Sequence, residues 1–214
     1  TRSYSGTGVQ TCALPICLKK EIARKLGYPC FLKPNNGGSS VGTCRVDSPD
    51  QLGSSLNDVS RFDDVTLIEE WIPAREIEIA VMGNDDPLLS VPGEILTAAG
   101  VEYYDYKTKY IDADSASVRI PAQLTSDEAG RIRRYAMKAY KLLGCSGMAR
   151  VDFFIDTRSG RIILNEINTI PGFTSISLYP KAWEVSGVSG ENLVTMLCRY
   201  ALQYKESRVR MEAI

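Results

Sequence analysis

The chain has no histidine. That absence removes every mechanism built on an imidazole base, the Ser-His-Asp triad among them, and leaves no histidine to share a zinc site. No apolar run is long enough to cross a bilayer. Neither sign of charge is in excess, since Lys+Arg 25 stand against Asp+Glu 26 for a net −1. A basic nucleic-acid face and a charged interaction tail are therefore not expected. Cysteine occurs at positions 12, 17, 30, 44, 145 and 198, never as a CxxC pair. Such scattered thiols read as free in a reducing cytoplasm. Internal repeats and low-complexity segments are also lacking. What remains is ordinary for a folded chain of 214 residues, 44% hydrophobic and 24% charged, enough for one large domain or two lobes.

Residues 1–16, TRSYSGTGVQTCALPI, follow neither the helical nor the strand period. They also lack the basic start and apolar stretch of a secretory signal. The string GVQTCALPI resembles the translation of a common short-read sequencing adapter. Residues 1–17 are therefore expected to be a non-native leader and are set aside in reading the fold.

Regular patterning starts at Leu18. Leu18, Ile22 and Leu26 share a helical face, and Gly27 and Pro29 stop that helix. A short apolar strand, CFLKP, runs into the loop NNGGSSVG. Ser48 to Gln51 reads as a capping box before a helix carrying Leu52, Leu56 and Val59. VTLIEEWI (65–72), EIEIAVMG (76–83) and LLSVPGEIL (88–96) each read as one strand. In the second, Glu76 and Glu78 alternate with Ile77 and Ile79, so both carboxylates share a face. Residues 102–115, EYYDYKTKYIDADS, have no period and are rich in tyrosine and charge, which predicts an ordered functional loop. Thr125 and Glu128 cap a helix that turns Ile132, Ala136 and Tyr140 inward and stops at Gly144. ARVDFFID and RIILNEIN are two strands around the turn TRSG, and Leu193, Met196, Leu197 and Tyr200 mark a last helix. This pattern predicts an α+β chain with mostly antiparallel sheets.

Four stretches can carry chemistry. If the hairpin turn centres near Ser159, Asp152 faces Glu166 and Arg150 faces Asn168, while Val151, Phe153 and Ile155 pack on the other side. Opposed carboxylates repel, and an all-oxygen set of Asp, Glu and Asn suits magnesium together with phosphate oxygens. A solvated hairpin face with an Arg–Asp pair satisfies the same pattern. Lys33 before NNGGSSVG offers a lysine beside backbone N–H groups that can surround phosphate. It is not a Walker loop, because no lysine follows the glycines, and an ordinary hairpin turn fits as well. IEEWIPAREIEI could serve a ribose and an adenine slot, or be a charged edge strand. In residues 168–180, Pro171-Gly172 makes a tight turn and the Thr and Ser residues after it can donate to a carboxylate, or simply connect.

In their order along the chain, KPNNGGSSVG, LIEEWIPAREIEIAV, VPGEI, YYDYKTKYID, GMARVDFF and LNEINTIPGFTSISLYP resemble D-alanine–D-alanine ligases of the ATP-grasp superfamily, over residues 18–201. The resemblance implies two α+β lobes with mostly antiparallel sheets gripping ATP between them. They would be a partial central lobe at 18–82 and a catalytic C-terminal lobe at 83–214. It implies ATP-dependent ligation of two D-alanines through an acyl phosphate, for peptidoglycan precursors. Lys33 would contact ATP phosphates, with Gly37, Gly38, Ser39 and Ser40 closing over them. Glu69, Glu70, Trp71 and Ile72 would form the adenine hinge, and Glu76 would bind ribose. Asp152, Glu166 and Asn168 would hold two magnesium ions, with manganese as an alternative, against the phosphates. Arg150 and the backbone N–H of Gly172 would form an oxyanion hole. Ser177 and Leu178, with Arg150 nearby, would hold the second D-alanine. Lys109 and Tyr110 match a mobile loop over the site.

The resemblance also implies a hydrogen-bonded set of Ser39, Tyr110 and a glutamate from the family's N-terminal domain. That domain has no counterpart in these residues, so the chain alone is expected to be inactive or nearly so. The Lys109-Tyr110 loop type accompanies D-alanine as acceptor. A D-lactate or D-serine ligase, another ATP-grasp carboxylate–amine ligase, a non-catalytic nucleotide-binding module and a decayed gene fragment remain alternatives. The implied partners are D-alanine and ATP, without nucleic acid or membrane, and complete family members are commonly cytoplasmic homodimers.

Overall fold

A computed structural model describes residues 2–5, 14–38, 40–97 and 116–212. Its chain forms two compact units, one running through Ile72 and one comprising Pro73–Leu96 with the chain from Ser117 onward.

In the first unit, β1 (Arg2–Ser5), β2 (Cys30–Pro34), β3 (Cys44–Val46) and β4 (Val65–Glu70) make a sheet of order β1-β4-β2-β3. Every pairing in it is antiparallel. Helices α1 (Leu14–Lys25) and α2 (Leu52–Val59) supply Ile22, Leu52 and Val59 to a core with Cys30, Leu32, Val46 and Ile68. Leu18 and Leu26 pack beside Ile22, as their helical spacing predicts. Gly27, at φ +77°, closes α1 with its N–H on the Ile22 carbonyl.

One expectation is corrected here, and one tract set aside in the sequence reading enters the fold. The tract set aside as a leader contains β1, paired with β4 from Arg2↔Ile68 to Ser5↔Val65, and the first turn of α1. A strand added by backbone hydrogen bonds needs no side-chain period, so no pattern announced it. The corrected expectation is the capping box at Ser48, which does not form. The chain turns at Ser48–Gln51, where the Gln51 N–H meets the Ser48 carbonyl, and Gln51 itself caps α2 without a side-chain bond. Its Oε1 instead accepts from the Asp47 N–H at 2.8 Å.

The second unit is a six-stranded sheet. Its strands are β5 (Ala74–Met82), β6 (Leu88–Leu89), β7 (Gly93–Thr97), β8 (Ala116–Arg119), β9 (Met148–Asp156) and β10 (Ile162–Asn168). The order is β10-β9-β5-β7-β8, with β6 also on β5. β5 pairs with β9 along its whole length, from Ala74↔Asp156 to Met82↔Met148. The unit boundary therefore falls at Pro73 rather than at 82/83. α3 (Ser126–Leu142) lays Ile132, Ala136 and Tyr140 on Ile77, Ile79, Val81, Val151, Phe153 and Ile155. The buried Tyr140 hydroxyl donates to the Gly83 carbonyl at 2.7 Å. α4 (Leu178–Val185) buries Leu178, Tyr179, Ala182 and Trp183, and α5 (Gly190–Glu212) packs beside it with Leu193 fully buried.

Residues 88–96 are two strands, not one. Ser90 interrupts them: its Oγ accepts from the Ala80 N–H at 3.0 Å and donates to the Val91 carbonyl at 2.8 Å. Pro92 then offers no N–H to continue the ladder. The functional loop expected at 102–115 lies outside the described residues. No helix among the described residues is long and apolar enough to cross a membrane.

Candidate functional site

The first unit presents one half-exposed sheet face. Alternation along β2 and β4 buries Cys30, Leu32 and Ile68 beneath the helices and leaves Phe31, Lys33, Leu67 and Glu69 on the opposite side. In register, Phe31 faces Glu69 and Lys33 faces Leu67. Lys33 Nζ lies 2.8 Å from Glu69 Oε2, so the lysine expected on phosphate and the first hinge glutamate share one patch. Glu70 is exposed, and Trp71 lies under the Arg45 guanidinium at 5.1 Å from its ring centre. A flat apolar strip flanked by a lysine and a glutamate suits a heteroaromatic base with charged substituents. After β2 the chain enters the glycine loop. Gly37 packs so closely that a Cβ there would lie 2.9 Å from Pro34 Cγ, whereas Gly38 faces open space. Ser39 lies outside the described residues, as do Lys109 and Tyr110.

The second unit assembles a polar row across three strands. Glu78 on β5 faces Asp152 on β9, which faces Glu166 on β10. The adjacent row is Ala80, Arg150 and Asn168. Both hairpin pairings match the register expected from the sequence. They are reached through a bulge between Leu164 and Glu166, because the strand ends near the turn pair one residue out of step. Asp152 is 2% exposed and Glu78 5%. Burying two carboxylates is tolerable only with compensating charge. Arg150 supplies it, with Nε 2.8 Å from Asp152 Oδ1, Nη2 2.6 Å from Asp152 Oδ2, and Nε 3.1 Å from Glu78 Oε2. Burial works against the guanidinium charge, but the hydrogen bond to Asp152 and the charges of Asp152, Glu78 and Glu166 outweigh it and raise the Arg150 pKa above its ordinary value.

The row brings three carboxylates around one guanidinium. The donors are all oxygen, the chemistry a hard divalent cation prefers. No cluster of three acidic or cysteine side chains close enough to enclose a metal occurs among the described residues. A cation here therefore needs oxygens from a ligand to complete its shell, as magnesium bound through phosphates does. Asn168 Oδ1 also accepts from the Ile170 N–H at 3.1 Å, which fixes the amide at the end of β10.

The chain after β10 turns through Pro171-Gly172. A Cβ on Gly172 would lie 2.9 Å from Ser177 Oγ, so the backbone of one residue and the hydroxyl of the other are neighbours. Ser177 is the N-cap of α4 in extended conformation without a side-chain capping bond. Its hydroxyl instead accepts from the Thr174 N–H at 3.1 Å and pairs with Thr174 Oγ1 at 2.8 Å. The first amides of α4 are thereby left for an anionic group. Leu178 is seated by Gly93, where a Cβ would come within 2.6 Å of Leu178 Cδ1. Glu76 stands two pairs from Glu78 along β5, opposite Phe154 and Ile95.

Sequence reasoning did not assign Glu78 or Gly93. Glu78 was visible as a carboxylate on the face of Glu76, but its place opposite Asp152 depends on β5 pairing with β9, a contact distant in sequence. Gly93 had only the motif VPGEI to mark it.

One unit thus carries a lysine beside a glycine loop, and the other an oxygen-rich row around a buried arginine. A family model described as D-ala D-ala ligase C-terminus matches residues 13–199, and the chain belongs to that family. It is 49% identical over 183 residues to the D-alanine--D-alanine ligase of Acetivibrio thermocellus, covering 86% of this chain and 48% of that protein. The structure of the D-alanine-D-alanine ligase from Coxiella burnetii superposes with TM-score 0.79 at 33% identity, over 99% of this chain and 53% of that one. The VanG D-Ala:D-Ser ligase from Enterococcus faecalis gives TM-score 0.76 at 35% identity, over 90% and 55%. The fold is thus the α+β ATP-grasp fold of these ligases. The chain spans about half the length of the relatives it matches.

Proposed function

We propose that this chain supplies the ATP-binding and carboxylate-activating part of a D-alanine–D-alanine ligase. The observation that supports this most directly is the row Glu78–Asp152–Glu166 with Arg150 and Asn168 beside it. In this reading Lys33 and the glycine loop take ATP phosphates, residues 69–72 take adenine, and Glu76 takes the ribose. Asp152, Glu166 and Asn168 hold two magnesium ions, or manganese. Bound metal supplies charge neutralisation to the phosphates during phosphoryl transfer. The γ-phosphoryl group passes to the carboxylate of one D-alanine, giving an acyl phosphate and ADP. The amine of the second D-alanine, held by its carboxylate at Ser177 and Leu178, attacks the acyl carbon. Arg150 and the Gly172 N–H stabilise the oxyanion that forms; as it collapses the acyl C–O bond breaks, phosphate leaves with that electron pair, and the amine's proton passes to the departing phosphate. A covering loop carrying Lys109 and Tyr110 keeps water from the acyl phosphate. None of these steps needs an imidazole. In this reading ATP use and free thiols favour a cytoplasmic reaction.

The likeness to a D-Ala:D-Ser ligase supports a second reading in which only the acceptor differs. The Lys109-Tyr110 loop type favours D-alanine. The chain spans about half the length of its relatives, and the 214 residues alone should bind nucleotide without ligating. Incubation with ATP, magnesium and D-alanine, alone or with D-serine or D-lactate, should be run on this chain and on a protein of the relatives' full length that carries it. Mass spectrometry should find D-alanyl-D-alanine from the longer protein alone. Phosphate release without dipeptide would indicate another acceptor, and absence of phosphate from both would leave only a nucleotide-binding module.

A further inference from the structure

We infer that Phe62 and Asp63, on the link from α2 into β4, are positioning residues that pin the two ends of the glycine loop and hold it in the shape that receives phosphate. The inference rests on the nucleotide reading above and deepens it. At the start of the loop, Asp63 Oδ2 accepts from the Asn36 N–H at 2.5 Å and Oδ1 from the Val65 N–H at 3.0 Å. The Asn35 N–H reaches the Val65 carbonyl at 3.0 Å. Both residues between Pro34 and Gly37 are thus tied to residues 63–65. At the far end, Gly42 lies at φ +74°, and a Cβ there would come within 2.7 Å of Phe62 Cδ2 and 2.9 Å of Cγ. The Phe62 ring therefore rests on the Gly42 backbone.

Phe62 is 55% exposed and lies outside the core that Leu52, Val59 and Ile68 share. Burial in that core does not account for a large apolar side chain at this place, but contact with the loop does. Between the two pins, the loop is held by short turns within itself, Val41 N–H to the Gly38 carbonyl at 3.1 Å and Thr43 N–H to the Ser40 carbonyl at 3.2 Å. A loop of glycines loses much conformational entropy when its N–H groups converge on phosphate. Fixing both ends beforehand lowers that loss, which is the physical basis of preorganised binding. The Asp63 carboxyl is held below the ordinary aspartate range, first by the Val65 N–H and then by the Asn36 N–H, so its accepting form persists at neutral pH.

The test uses the 214-residue chain and its D63A, D63N, F62A and D64A variants, the last altering a neighbouring exposed carboxylate. Amide hydrogen exchange across residues 35–43 is measured together with calorimetric affinity for magnesium–ATP and for adenosine. D63A and F62A should speed exchange in that segment about tenfold or more without changing the rest of the chain. They should weaken ATP about tenfold and leave adenosine unaffected, since only the phosphates use the loop. D63N keeps one side-chain oxygen and should fall between. Exchange indistinguishable from D64A, or equal weakening of ATP and adenosine, overturns the inference. Should D63A unfold, seen as exchange throughout the chain, D63N and F62A decide by the same criteria. If the unaltered chain binds neither ligand, the nucleotide reading fails. The phosphate role of the clamp falls with it, and the exchange data separately report whether the two residues hold the loop.

Discussion

Arg150 shows how much one side chain can be asked to do. It contacts two buried carboxylates and lies in the field of a third, so its removal leaves uncompensated charge in the sheet. R150A should lose about 3–5 kcal/mol of unfolding free energy in urea titrations, with magnesium restoring part of it. Gly93 acts in the opposite sense, by omission. G93A would place a methyl group 2.6 Å from Leu178 Cδ1 and 3.2 Å from Ile120 Cγ1. It should cost about 1–3 kcal/mol by overpacking, and it should weaken acceptor binding more than nucleotide binding in calorimetric titrations of the two ligands. At this scale the sequence showed which residue types could meet, such as Asp152 with Glu166 and Arg150 with Asn168. It could not show Glu78 in the same row, because chain separation hides which strand is the third neighbour. The empty volume that Gly93 leaves for Leu178 has no sequence signature at all.

Single elements were legible wherever the pattern and the hydrogen-bonding chemistry agreed. α3 carries a full capping box. The Thr125 side chain accepts from the Glu128 N–H at 3.2 Å, and Glu128 Oε2 accepts from the Thr125 N–H at 2.8 Å. T125A should cost about 1 kcal/mol in thermal or urea unfolding. The Glu128 carboxyl is depressed below its ordinary value, chiefly by the Thr125 N–H, so its contribution is present above the unfolded-state pKa and is lost as pH falls through the folded-state one. Acidification below the usual glutamate range should therefore lower the melting temperature of the chain more than that of E128Q, whose neutral side chain holds its bond at every pH. The related string at Ser48–Gln51 fails because Gln51 is the cap rather than the third helical residue, so its amide reaches the turn instead of the helix start. Residues 88–96 misled for a similar reason. Their hydrophobicity is continuous, but the Ser90 hydroxyl takes a backbone position in the ladder.

The α+β class, the antiparallel sheets and the two-part division could all be read from the whole sequence, and the fold agrees with them. The seam itself could not, since it depends on β5 joining β9 rather than β4. Nor could β1, whose residues follow no strand period although they pair with β4. The five cysteines among the described residues are free. Cys17 and Cys198 are exposed, while Cys30 is fully buried and its thiol is pushed up to about 11 by burial and by Cys44 nearby. Alkylation at pH 8 followed by mass spectrometry should modify Cys17 and Cys198 within minutes. Cys30 should react only as fast as the first unit opens, so its labelling rate reports the stability of that unit.

The irregularity at Asn165 changes the parity of the β9–β10 hairpin. Ile162 and Ile167 both pack on the α3 side although five positions separate them, an odd spacing that an unbroken strand cannot place on one face. Deleting Asn165 would restore even alternation and leave Glu166 directly after Leu164, still opposite Asp152, with Ile167 on Val151 and Asn168 on Arg150. The extra residue is thus taken up within β10 itself, and both substitution and loss of Asn165 should keep the oxygen set in line with Arg150.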